Sequence, residues 1–423
     1  MAKTVPLDAP TLAWAREAFA RYYRSATVAP PERLARREFA AFPFAETTAM
    51  RRHATLPTAG ELSRFLREQV PRHVYYSSAY YRQPAELTMA AKGWLGADLI
   101  FDLDSDHLRG AESLDYAGQL ALVKGRLLDL VDDFLVRDFG IDPATTSFVF
   151  SGGRGYHVHL RDERFLGLSG PERREIVDYV LGTGIDPMRA VEEHREDVRS
   201  GRTVGGADDD PEPVARGRAA RTVRLAPPDA PGWRGRTTRA VLAVLARWER
   251  DGRPSAVAEM QRWGLPPAKA RHWAKLLLED GGAEKIRSRL SVDVFRKGET
   301  PREFLEAVVR GAAVEVQAET DAPVTTDIHR LIRLPGSLHG GTGLRVVPLA
   351  RQAVDGFDPF RDAVVDPAPE ERPTAVTFLE EVRYPFPGGG LSGHAGATDE
   401  LPTSRAVFLV LRGQAALRAS PAA

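Results

Sequence analysis

Hydrophobic and polar positions along the chain alternate between helical and strand periodicity. Residues 9–23 (APTLAWAREAFARYY) place Leu12, Ala15, Ala18, Phe19 and Tyr22 on one stripe, the spacing of an amphipathic helix that Pro30 and Pro31 then interrupt. Residues 37–52 (REFAAFPFAETTAMRR) are short and aromatic, which predicts turns and strands ending in the basic cluster Arg51, Arg52 and His53. A second helix is expected over 58–70, opened by Thr58 and closed before Pro71. Residues 73–81 (HVYYSSAYY) read as a strand whose tyrosines suit a core or a pocket wall. The sharpest alternation is at 99–106 (LIFDLDSD), with Leu99, Phe101 and Leu103 on one face and Ile100, Asp102 and Asp104 on the other.

The remaining pattern is coarser. One long amphipathic helix is predicted over 113–138, with Leu120, Val123, Leu127, Leu130 and Phe134 on its apolar side. Residues 147–160 (SFVFSGGRGYHVHL) read as strand, glycine-rich turn and strand, and 171–181 as a helix. Residues 199–236 lose periodicity and gain Gly, Pro, Asp and Arg, the composition of a linker. Helical spacing returns over 239–278, with Trp248, Trp263 and Trp273 as core candidates. A strand is expected at 313–317, a short helix at 326–334 stopped by Pro335, and a strand at 344–349. Beyond Pro367 the chain is rich in Pro and Gly, although 406–411 (AVFLVL) could dock back as a strand or helix. There is no internal repeat.

Composition narrows the class. A chain of 423 residues is too long for one ordinary core, so two or three structural units are expected. The formal net charge is zero, so any nucleic-acid footprint must be local. The count of Cys is 0, which excludes disulfides, Cys-based zinc sites and iron–sulfur ligation within the chain. No apolar signal segment and no run of roughly 20 apolar residues is present, so a soluble, cytoplasmic protein without membrane partners is expected.

Three blocks carry chemistry. On the 99–104 strand, Asp102 and Asp104 would lie about 7 Å apart along the backbone, from roughly 3.3 Å of rise per residue. Paired carboxylates suit hard cations, and two Mg²⁺ or Mn²⁺ ions about 4 Å apart could be bridged by them. A lone D-x-D more often marks a strand end entering a solvated acidic turn, and it is the blocks that follow which raise the metal reading. The second block, Ser151 to His157 (SGGRGYH), offers an anion-binding nest of turn amides, a hydroxyl at Ser151 and a guanidinium fork at Arg154. It is not a Walker loop, because it lacks the Gly-Lys-Ser/Thr ending and enters a strand. In the third block, 321–339 (DAPVTTDIHRLIRLPGSLH), two acids compete. Asp327 fits the first turn of a helix capped by Thr325 or Thr326, a sufficient structural role, whereas Asp321 follows a strand end and is the better metal ligand. Arg333 and His339 flank the same loop.

Taken together the blocks resemble the catalytic small subunit of archaeal and eukaryotic DNA primases, the archaeal form most closely. FDLD matches the acidic strand motif of that family, SGGRGYH its Ser-Gly-x-Arg-Gly-x-His motif, and the segment from Asp321 through Gly343 its third motif. The similarity runs from about Arg37 to Leu349, with a variable middle. It implies an α/β (α+β) fold, a mixed-sheet catalytic core with an RRM-like sheet and a small helical insertion. The expected division is a discontinuous core over 1–200 and 285–385, a linker or loop over 201–238, the insertion over 239–284 and a C-terminal tail over 386–423.

By the same resemblance Asp102, Asp104 and Asp321 would be the catalytic, metal-binding carboxylates, holding two Mg²⁺ or Mn²⁺ ions. Ser151, Gly152, Arg154, Gly155 and His157 would hold the triphosphate of the incoming nucleotide, with Arg333 and His339 touching it as well. Arg52 matches a family arginine near the phosphates, one register from Arg51. Many archaeal relatives carry a Cys/His zinc knuckle beside the catalytic sheet. This chain cannot, since His107 alone does not hold zinc, and no zinc is expected. The implied partners are the primase large subunit, which would bring the iron–sulfur domain, single-stranded DNA template and nucleoside triphosphates. The implied activity is template-directed primer synthesis during DNA replication. The alternatives are a stand-alone primase–polymerase acting in repair or damage bypass, and an inactive nucleic-acid-binding scaffold.

Overall fold

Asp8 opens the first helix, α1 (Ala9–Ser25), its carboxylate accepting the Thr11 amide at 2.9 Å. In the computed structural model, residues 7–45, 49–108, 110–184, 186, 189, 191–196, 220–295, 302–308, 320–366 and 373–418 are described. They fall into two units, one of Met1–Asp132, Gly140–Leu181 and Ala318–Ala423, the other of Asp133–Phe139 and Gly182–Gln317.

The first unit continues with strands β1 (Phe39–Phe42) and β2 (Arg51–Ala54), then helix α2 (Ala59–Gln69). Thr58 and Glu61 cap α2 reciprocally, side chain to backbone in both directions, as the Thr58 signal predicts. Strand β3 (His73–Ser77), the short pair β4 (Ala79–Tyr81) and β5 (Trp94–Ala97), and β6 (Leu99–Asp104) follow. Helix α3 (Tyr116–Asp129) passes into a π-helical segment at Leu130–Val136, so the long predicted helix is present with a change of winding. Strands β7 (Ser147–Phe150) and β8 (Gly155–Leu160) flank the glycine turn, and α4 (Gly170–Leu181) closes this part.

The second unit pairs β9 (Val191–Glu196) with β10 (Ala220–Leu225) and adds helices α5 (Gly232–Asp251), α6 (Arg253–Arg262), α7 (Pro267–Leu278) and α8 (Gly282–Arg289). Its core gathers around Trp248 and Trp273, with Trp263 packed at the edge. Buried Arg236 pairs with Asp138 at 2.5 Å and lies 3.6 Å over the Phe134 ring. The segment read as linker is therefore a strand at 220–225 and the start of α5 from Gly232; positions 197–219 lie outside the described residues.

The chain re-enters the first unit with α9 (Ala322–Thr326), β11 (Leu331–Arg333) and β12 (Val347–Leu349). Strands β13 (Thr374–Phe378), β14 (Val382–Tyr384), β15 (Leu391–Gly393) and β16 (Thr398–Leu401), helix α10 (Thr403–Leu411) and β17 (Ala415–Leu417) complete it. Two four-stranded sheets, ordered β11-β3-β1-β2 and β12-β7-β8-β6, make this an α+β fold with antiparallel pairings.

Two corrections concern the third block. The helix expected at 326–334 ends at Thr326, and Leu331–Arg333 instead pairs with β3, burying Ile332. An edge strand with an open ladder outweighs a helix too short to stabilise itself. Consequently Asp327 is at the C-terminal end of α9, not in a first turn, while Asp321 precedes that helix without accepting a capping bond. The strand expected at 313–317 lies outside the described residues.

The C-terminal segment is a packed part of the first unit. Val407 and Leu411 of α10 join a core with Phe19 of α1, Val74 and Tyr76 of β3, and Ile100 of β6. The start of β6 is fixed by buried charge. Arg37 donates to Asp98 at 2.8 Å and to the Ser77 and Ser78 carbonyls, while Arg173 of α4 donates to the carbonyls of Ala97 and Asp98. Both charges are buried, and each donor has carbonyl or carboxylate partners, the condition under which a buried pair holds geometry.

Candidate nucleotidyl-transfer site

Register places the acids. In the β6–β8 ladder Asp102 faces His157 and Asp104 faces Gly155, so the end of the acidic strand lies against the end of the glycine turn. A Cβ at Gly155 would stand 2.5 Å from the Leu103 carbonyl oxygen, which restricts the position to glycine at this strand separation. Gly152 has φ +76°, and a Cβ there would meet the Cβ of His339 at 2.7 Å. The turn is thus pressed against the third block.

That block is tied to β6 by its backbone. The Asp321 amide donates to the Asp102 carbonyl at 2.8 Å, and the Thr320 hydroxyl donates to the same oxygen at 3.1 Å. Asp102 is squeezed electrostatically: burial, then Asp104 and Asp321, push its carboxyl up to about 7. His157 stands with Nε2 3.4 Å from Asp102 Oδ1. Burial and the nearby Arg333 and Arg330 drive this imidazole down to about 3, so it faces Asp102 as a neutral ring. His107 Nε2 lies 4.0 Å from Asp321 Oδ2. Among the described residues no group of three His, Cys, Asp or Glu side chains forms a ready-made metal cage.

In front of the strand pair is an open cleft of about 650 Å³, lined among others by Asp104, Asp106, Ser151, Arg154, Arg333, His339 and Arg412. The nest reading of the turn needs revision. The amides of Gly153 and Gly155 donate inward to Ser151 Oγ, at 3.3 and 3.2 Å, so they face the buried serine and not the cleft. Arg154 is paired with Asp106, whose own amide donates to Asp104 Oδ1 at 3.1 Å. His339 Nδ1 accepts the Gly341 amide at 3.2 Å, which leaves the proton on Nε2. Its basicity is held well below the ordinary imidazole range by burial and by Arg333. Arg333 donates to His73 Nδ1 at 2.8 Å and to Tyr75 at 3.1 Å.

The relatives decide the family. A model of the DNA primase small subunit matches residues 101–250. The chain is 38% identical to the DNA primase small subunit PriS of Methanocella arvoryzae over 96% of its own length and 98% of the relative. For PriS of Methanothrix thermoacetophila the identity is 39%, covering 96% and 99%. For PriS of Haloarcula marismortui it is 37%, covering 97% and 99%. The chain belongs to the DNA primase small subunit family. The matched stretch of the family model begins within β6 and takes in the glycine turn, two of the elements that build the site.

Against the sequence reading, Asp104, Ser151, Arg154, Arg333 and His339 meet in one cleft, with Asp102, Asp321 and His157 adjoining through β6 and β8. Arg52 is not brought there. It lies on β2, at the opposite edge of its sheet from Arg333, held by buried Glu38 at 3.0 Å, and lines a small separate pocket with Phe65 and Gln69. Sequence reasoning missed Asp106, Tyr116, Thr342 and Arg412. Asp106 stood in the quoted acidic run, and Thr342 in the glycine segment after His339, where its hydroxyl donates to the Gly152 carbonyl at 2.5 Å. Among the described residues no helix is long and apolar enough to cross a membrane.

Proposed function

We propose that this cleft binds a nucleoside triphosphate and joins it to a primer on single-stranded DNA. Membership of the DNA primase small subunit family makes the chain a primer-making nucleotidyltransferase of DNA replication. The observation that carries the reading of the site is one cleft in which Asp104 meets Arg154, Arg333 and His339, carboxylate beside phosphate-type donors.

The family uses divalent ions, and Asp102, Asp104 and Asp321 are the residues that would hold two Mg²⁺ or Mn²⁺ ions. The donor set fits: it is all oxygen, and burial, with the neighbouring charges of Asp104 and Asp321 adding to it, raises Asp102 to about 7, a cost that bound cations relieve. When bound, such ions neutralise phosphate charge and acidify the attacking 3′-hydroxyl.

The chain's own groups do the binding and orienting. Ser151 Oγ accepts two turn amides, which leaves its hydroxyl proton for a phosphate oxygen. Nε2–H of His339 is a neutral donor. Arg154 exchanges Asp106 for phosphate oxygens as the nucleotide enters. His73 and Tyr75 hold Arg333 in place, and neutral His157 steadies Asp102 from the facing strand. The partner would be the primase large subunit, carrying the iron–sulfur domain that a chain with Cys 0 does not hold.

The test is nucleotide incorporation on single-stranded DNA with Mg²⁺ or Mn²⁺. Asp102→Ala, Asp104→Ala and Asp321→Asn are each expected to lose activity by at least about 100-fold. Asp327→Asn is expected to retain most of it, since that side chain only accepts the His329 amide at the end of α9. Near-normal synthesis by the Asp104 variant would overturn the site.

A further inference from the structure

Arg412, at the end of α10, is the one cleft residue contributed by the C-terminal segment that carries a charge. Its helix is seated firmly. Ala406 through Leu411 are buried, and Gly343, at φ +71°, approaches so closely that a Cβ there would be 2.4 Å from Val407 Cγ1. Helix α10 therefore braces the loop that carries His339 and delivers Arg412 from a rigid element. The guanidinium lies over the Tyr116 ring, 4.2 Å from its centroid, and Nε donates to Gln414 Oε1 at 3.0 Å. The Tyr116 hydroxyl in turn donates to the Gly153 carbonyl at 2.6 Å. Gln414 is itself fixed by Tyr384, which donates to it at 2.6 Å.

The other two guanidinium groups of the cleft are engaged. Arg154 holds Asp106, and Arg333 holds His73 and Tyr75. Arg412 pairs with no carboxylate among the described residues, although Asp104 and Asp106 line the same cleft. Its Nε is spent on Gln414 and its face on Tyr116. What remains is the terminal pair of nitrogens, a planar fork whose geometry matches two oxygens of a phosphate. A cation stacked, buttressed and left without a counter-ion in a polar cleft is prepared for an anionic ligand.

We propose that Arg412 is a substrate-binding residue that grips the polyphosphate of the incoming nucleotide through Nη1 and Nη2. This rests on the reading of the cleft as the triphosphate site. Helix α10 and the 339–343 loop then act as one support that presents Arg412 and His339 beside the Ser151–Arg154 turn packed against them.

The experiment compares Arg412→Gln, Arg412→Lys and Arg154→Gln in the full chain. Three quantities are measured: steady-state incorporation against nucleotide concentration, inhibition by inorganic tripolyphosphate, and anisotropy with labelled single-stranded DNA. A charge-assisted hydrogen bond corresponds to about 10- to 150-fold in affinity. Arg412→Gln is expected to raise KM and the tripolyphosphate inhibition constant by at least about 10-fold, with kcat within about 3-fold and DNA affinity unchanged. Arg412→Lys keeps the charge without the fork and should fall between; it also serves if the Gln variant does not fold. Unchanged KM and tripolyphosphate inhibition in the Arg412 variants, with both impaired in Arg154→Gln, overturns this inference alone. If Arg154→Gln is also unchanged, the triphosphate reading of the cleft falls with it. Loss of DNA affinity at normal tripolyphosphate inhibition overturns the inference in favour of a template-backbone contact.

Discussion

Asp102, in the proposed site, carries unfavourable electrostatics. Its carboxyl is raised to about 7 by burial and by the charges of Asp104 and Asp321, against about 3.9 in an unfolded chain. The folded state therefore binds this proton more tightly. The corresponding stability is fully present below about pH 4 and is lost as pH rises through about 7. Asp102→Asn should consequently melt above the parent protein at pH 8 without divalent ions, and lose that advantage at pH 5. A gain of a few °C is expected, since 1 kcal/mol shifts Tm by roughly 2–4 °C in domains of about 150–250 residues. Scanning calorimetry at the two pH values checks this; an advantage larger at pH 5 than at pH 8 would refute the raised proton affinity of this buried carboxyl.

At the scale of elements, the glycine turn is the most constrained piece of the site. Gly152→Ala meets two costs, a left-handed backbone and a contact of 2.7 Å with His339 Cβ. Gly110→Ala is the control, because Gly110 shares a positive φ, +81°, with nothing within 4 Å of its Cβ. The control should lose about 1 kcal/mol and Gly152→Ala roughly 1–3 kcal/mol more, measured by urea denaturation. Equal losses would mean that His339 yields freely.

This element also marks how far the sequence could be read. β6, β7, β8 and the turn were legible because their alternation, glycines and charges are local. β11 was not: its three residues are a strand only because β3 offers an edge. The 406–411 run left strand and helix open, since a short apolar stretch has no period of its own and its burial against α1 and β3 decides. Asp102, Asp104, Ser151, Arg154 and His157 were visible within two compact motifs. Arg412 was not, because its role follows from Tyr116 and Gln414, neither of which is near the motifs in sequence.

For the whole molecule, the packed C-terminus leads to a stability prediction. Deleting residues 403–423 would remove Val407, Phe408, Leu409, Val410 and Leu411, all buried. At about 1.5–3 kcal/mol for each large apolar side chain, the loss is on the order of 10 kcal/mol, comparable with the total stability of an ordinary domain. The shortened chain should lack a cooperative thermal transition for the first unit. A normal transition would show that α10 is dispensable.

The first unit is written in three pieces, with Gly182–Gln317 inserted before the last. During synthesis, at about 5–20 residues per second, the ribosome takes on the order of ten seconds to pass that insertion. Throughout that interval Asp102 and Asp104 have been made, while Asp321, Arg333 and His339 have not. β3 waits without β11, and β7 without β12. The proposed site is thus a late event in the life of each molecule: a nascent chain released early carries the acidic strand but neither Asp321 nor the loop facing the turn, and is expected not to polymerise.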